Sequence, residues 1–341
     1  MTKIGDRWRE APSFAARLRT LQPLTPDVAT KPAAVGPLTL APSALVYAVG
    51  PILVLIVSSW LFSTYGQTAP HYMLETHPDG RLESAGRLRA IAMWLVLAIV
   101  GVGCLGLWAK ELMRFDRRSA RMLAGAWIIT AATLTLSVSS GNFQGRAERV
   151  LGEHTICNML QPPPKTKAVF RDQQGQLEAY RRCTSEDPYF ARLAELNSRQ
   201  LALLLLFLPA MLFGAVSCAA GPPDRRDEQV LRLKTFTYLS AALVAAGLLF
   251  LSALLHWPAG ALSEGSARIY NAHVSSYLLY WAVTYSAMIA AYYIPLSAKL
   301  SGGLVGPAAA AGDLHPLDAL KTIATIFAPV ITALLGDIVH F

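Results

Sequence analysis

Residues 88–121 read LRAIAMWLVLAIVGVGCLGLWAKELMRFDRRSAR, and the fold follows from the change of character near the end of that stretch. Over 88–108 the side chains are almost all apolar, which matches the roughly 20 residues a helix needs to cross about 30 Å of hydrocarbon. Lys110, Arg114, Arg117, Arg118 and Arg121 then crowd a short connection, opposed only by Glu111 and Asp116. Basic residues collect on the cytoplasmic side of membrane spans, so this turn is predicted to face the cytoplasm and to send the next apolar run outward.

Outward from this point, the runs that meet the length test are 44–63, 88–108, 122–140, 201–220, 235–256, 275–295 and 322–340. They predict an all-α integral membrane fold: a seven-transmembrane-helix bundle of a bacterial inner membrane, amino terminus cytoplasmic and carboxyl terminus extracytoplasmic. The expected organisation is a basic cytoplasmic tail over 1–43, three spans over 44–140 with an outer hairpin loop at 64–87, an extracytoplasmic insert over 141–200, and four spans over 201–341. No apolar core near the start marks a cleavable signal peptide.

Composition agrees. The chain is 15% charged and 53% hydrophobic, with a mean hydropathy of +0.38, whereas a soluble domain is about 25% charged. The net charge of +8 is not a nucleic-acid footprint, because the basic residues sit at span ends and mix with acids rather than clustering on one face. The lipid bilayer is the partner this pattern names.

The insert is the one long polar passage between apolar runs. It divides into a helical stretch at 143–160, a break at Gln161-Pro162-Pro163-Pro164, a hairpin turning near Asp172 to Gly175, and a helix starting at Thr184-Ser185-Glu186-Asp187-Pro188 that continues into the fourth span. With the 64–87 loop it would form a small outer cap. Cys157 and Cys183 lie in it, outside the apolar runs, and in an oxidising compartment they are expected to pair as a disulfide. Cys104 and Cys218 fall inside apolar runs and read as small packing residues. Gly101, Gly103 and Gly106 beside Cys104 offer close approach to another helix, as do Ala241, Ala242, Ala245, Ala246 and Gly247.

Residues able to carry chemistry are sparse. Thr130, Thr133, Ser137 and Ser140 recur at a three-four-three spacing and share a face of the third span. Such a stripe lines a polar pathway or supplies interhelical hydrogen bonds. Span six is rich in tyrosine; Tyr285, deeper than the others, needs a hydrogen-bond partner within the bundle. Pro51, Pro209 and Pro329 mark places where helices can break.

On the expected topology His71, His77, His154, His256, His273 and His340 all fall on the outer side. Asp337 and His340 share one face of the last helix, and with His256 and His273 they make a candidate outer site, either a pH-responsive contact or a site for a divalent metal such as zinc. No other cofactor is suggested. There is no phosphate-binding glycine loop, paired-cysteine zinc motif, Gly-x-Ser-x-Gly elbow or inverted repeat.

The leading expectation is a non-enzymatic sensor or scaffold whose cap meets an extracytoplasmic ligand or protein, with a homo-oligomer as a further partner arrangement. A pore or transporter using the span-three stripe is the alternative from another class, and a metal-dependent membrane hydrolase is the third.

Overall fold

Apolar runs placed in lipid satisfy their backbone groups within helices. The computed structural model describes residues 37–66, 81–139, 188–220, 225–300 and 316–338, and these are helical apart from short turns and isolated bridge residues such as the pair Leu38 and Phe115. A 3-10 turn at Pro42–Ala48 leads into α1 (Val49–Leu61). Then come α2 (Arg81–Leu112), α3 (Arg117–Ser139), α4 (Pro188–Ser217), α5 (Arg226–His256), α6 (Glu264–Leu300), α7 (Pro316–Ile326) and α8 (Ala328–Ile338).

Five of the segments so formed are long and apolar enough to cross a membrane: Pro42–Leu61, Ala85–Leu112, Arg117–Leu136, Arg226–His256 and Glu264–Leu300. The expected count of seven is not shown among the described residues. In the fourth run, α4 extends unbroken from Pro188, and its described side chains over Leu203–Ser217 are apolar. The seventh run carries a one-residue turn at Phe327 between Pro316–Ile326 and Ala328–Ile338, with Phe327 N–H still donating to the Ile323 carbonyl and Ile331 N–H to the Phe327 carbonyl, both at 3.0 Å. This turn falls just before Pro329, which has no N–H to donate to the Thr325 carbonyl.

The centre of the bundle is α5. In its most apolar window 61% of residues are buried, against 17% for the first and third candidate spans. α5 packs against α2, α4, α6 and α8, whereas α1 leans on α6, and α3 packs mainly on α4. Small residues allow this: Ala241 and Ala246 are buried on α5, and a Cβ at Gly247 would sit 3.2 Å from Leu204. Of the three glycines beside Cys104, only Gly101 is used for packing, because the ring of buried Phe207 lies where its Cβ would be. Nothing lies within 4 Å of a Cβ at Gly103 or Gly106. Cys104 and Cys218 are both buried, free thiols packed in the core.

One end of the bundle is tied together by polar contacts. Leu38 bridges to Phe115, its N–H donating to the Arg114 carbonyl at 3.0 Å and its carbonyl accepting from Asp116 N–H at 3.0 Å. Leu40 N–H donates to Ser119 Oγ at 3.0 Å. The lead-in to the first span and the basic 110–121 turn therefore share a face. Asp116 starts α3 by accepting from the N–H groups of Arg118 and Ser119 at 3.1 and 3.2 Å, the work of an N-cap. Beneath this turn, buried Glu111 pairs with Arg232 of α5, accepts from Ser217 Oγ at 3.3 Å, and lies 3.7 Å from Arg114, which also reaches Glu228 at 3.2 Å.

At the other end, Phe62 packs among Tyr277, Tyr280 and Trp281 of α6 with ring centroids 5.4 to 5.9 Å apart. Tyr280 Oη donates to the Ser58 carbonyl at 2.6 Å, fixing α1 against α6. These tyrosines therefore serve packing between helices, beyond the membrane-boundary role expected of residues near span ends.

Candidate functional site

Thr130 and Thr133 of the predicted polar stripe do meet other elements, and what they meet is a cavity. It has a volume of about 470 Å³ and is walled by α1, α3, α4, α5 and α6. Its position follows from packing. Because α3 rests mainly on α4 and α1 on α6, a gap remains between α1 and α3. Ile56 and Ile129, which line the cavity, are 57% and 68% exposed and flank that gap. They are large apolar side chains at mid-helix positions, so the mouth is rimmed by exposed apolar surface.

The lining is dominated by Leu, Ile, Val, Met and Pro side chains. Pro51 and Pro209 both contribute. Pro209 lies inside α4 and cannot donate to the Leu205 carbonyl, one turn earlier. The neighbouring Leu206 carbonyl receives the Trp127 indole N–H at 2.9 Å, which ties α3 to α4 beside the cavity.

Hydroxyl groups are few and differ in how they are satisfied. Tyr292 Oη donates to Ser240 Oγ at 2.9 Å, and Ser240 Oγ donates to the Phe236 carbonyl at 2.8 Å, so this pair is closed on itself. Tyr285 lines the cavity with its ring 6.1 Å from that of Trp281, and its hydroxyl has no hydrogen-bond partner among the described residues. The partner expected for this deep tyrosine is thus not found among the described residues. Ser240 and Tyr285 each lie near the midpoint, by residue number, of α5 and α6.

The other half of the stripe is not placed with them. Ser137 belongs to α3 but its side chain lies outside the described residues, as does Ser140 altogether. Cys157 and Cys183 also lie outside the described residues.

For the outer histidine and aspartate set, His256 is buried at the end of α5, with Nδ1 2.9 Å from the Ser252 carbonyl. A carbonyl only accepts, so that nitrogen carries a proton and is turned inward along its own helix. His273 is half-buried on α6, Asp337 is described only by its place on α8, and His340 lies outside the described residues. Among the described residues no group of three His, Cys, Asp or Glu side chains is arranged to hold a metal ion.

The sequence reading did not identify Ser240 or the Glu111–Arg232 pair, and took Tyr292 only as one of the span-six tyrosines. A lone hydroxyl in an apolar run and a lone acid and lone base near span ends were the available signals. Neither states which helix will face which. Comparison with protein-family models, with curated proteins and with solved structures finds no match.

Proposed function

We propose that the chain is a non-enzymatic membrane sensor that takes a hydrophobic ligand from the bilayer into the cavity between α1 and α3. The observation that carries this reading is the cavity itself: about 470 Å³, apolar in lining, with exposed Ile56 and Ile129 at its mouth. Ligand pockets of roughly 300–1,000 Å³ are mostly apolar with a few placed polar groups, and this one has that composition. An apolar lining of this kind offers an ion no replacement for its hydration shell, so ligand uptake fits better than ion conduction. The presence of Thr130 and Thr133 in the wall keeps a pathway for a polar solute as the second reading.

The test uses the full chain reconstituted in lipid nanodiscs with a diazirine-bearing alkane as photolabel. Crosslinks should concentrate on cavity residues such as Ile129, Leu208 and Met288. Leu208→Trp, which fills the space, should reduce them several-fold while labelling of outward-facing Ile99 and Ile294 persists. Labelling spread evenly over the exposed apolar surface and unchanged by Leu208→Trp would refute the reading. Solute flux in proteoliposomes that Leu208→Trp abolishes would favour the second.

A further inference from the structure

We infer that the ligand of this cavity is a neutral molecule with a carbonyl oxygen on an otherwise apolar body, and that Tyr285 recognises the oxygen. The inference rests on the reading of the cavity as a ligand site.

The argument starts from the tyrosines of α6. Tyr270 donates to the Leu255 carbonyl at 2.8 Å, Tyr280 to the Ser58 carbonyl at 2.6 Å, and Tyr292 to Ser240 at 2.9 Å. Each closes a contact between helices. Tyr285 is on the same helix, packs against Trp281, lines the cavity, and has no such partner among the described residues. A phenol with an ordinary pKa near 10 is a neutral donor at physiological pH, and hydrocarbon offers it nothing to donate to. The missing partner is an acceptor brought in by whatever fills the cavity.

Depth narrows the class. Tyr285 lies near the middle of a helix of 37 residues; with that helix centred in the bilayer it is roughly half the 30 Å hydrocarbon thickness from either interface. The ester carbonyls of ordinary phospholipids remain near the interfaces because their headgroups hold them there. An oxygen that reaches Tyr285 therefore belongs to a molecule that enters the hydrocarbon whole, with no charged headgroup. The rest of the lining, including Leu208, Leu212 and Met288, suits its apolar body.

The test is competition against the same photolabel on the full chain in nanodiscs, using methyl nonyl ketone and the alkane of matched length, undecane. The ketone should compete about fivefold more strongly at equal membrane concentration, the ratio that one net hydrogen bond provides. Tyr285→Phe keeps the ring and should bring the ratio to one without weakening undecane. Equal competition in the wild-type protein, as expected if water meets the hydroxyl, overturns the inference, and so does a ratio that survives Tyr285→Phe. Should Tyr285→Phe fail to fold, the wild-type ratio alone decides. Failure of both compounds to compete instead removes the cavity reading on which this inference stands.

Discussion

Replacing Glu111 by glutamine should be among the most damaging single changes in this protein, although the two side chains are nearly the same size. The Glu111 and Arg232 side chains are 6% and 12% exposed and paired, with Ser217 donating to the same carboxylate at 3.3 Å. Glutamine leaves the Arg232 guanidinium buried without its counter-charge, and breaking a buried pair from one side costs about 3 to 5 kcal/mol. The neighbouring Arg114–Glu228 pair is 41% and 50% exposed, so Glu228→Gln should cost at most about 1 kcal/mol. Removing both buried charges avoids the stranded ion, and Glu111→Leu with Arg232→Met should return to within about 1 kcal/mol of wild type. Denaturant unfolding of the four proteins in one detergent, followed by tryptophan fluorescence, measures the series. A Glu111→Gln protein within about 1 kcal/mol of wild type, or a double variant no more stable than that single variant, would refute the argument that the cost is the uncompensated charge.

Two glycines on one helix should behave in opposite ways. A Cβ at Gly101 meets the ring of buried Phe207, whereas at Gly103 it meets nothing within 4 Å; Gly101→Ala should cost about 1 to 3 kcal/mol by overpacking, and Gly103→Ala should be neutral or stabilising by up to about 1 kcal/mol through helix propensity, both read from detergent melting curves. At the Asp116 cap, the hydrogen bond from the Ser119 side chain outweighs partial dehydration and, with the Ser119 and Arg118 N–H groups and the Arg118 charge, holds the carboxyl below its usual pKa. A carboxyl depressed in the folded state stabilises above its unfolded pKa of about 4, and the contribution is lost as pH falls through the folded value. Asp116→Asn should therefore flatten the acid limb of melting temperature against pH below about pH 4; an unchanged limb would show that the cap is not the titrating contact.

The sequence by itself determined that the chain is helical with several runs suited to lipid, because hydropathy summed over about 20 residues depends only on local order. It also determined that a helix runs from Pro188 into the fourth run, the small residues of α5 that bring neighbours close, and the proline just after the one-residue turn in the last run. What it left open is which side of each helix meets protein. In water an apolar stripe names the buried face, but in lipid Leu and Ile serve both the core and the bilayer, so Gly101, Gly103 and Gly106 look alike until Phe207 lies over one of them. The same limit applies to the cavity. Thr130 and Tyr285 come from helices more than a hundred residues apart in sequence, and only the seating of α3 on α4 and α1 on α6 leaves a gap that both line. Glu111 and Arg232 are likewise an isolated acid and an isolated base in the sequence; their pairing was decided by the crossing of α2 with the buried central helix, which gives each charge a partner where water is scarce.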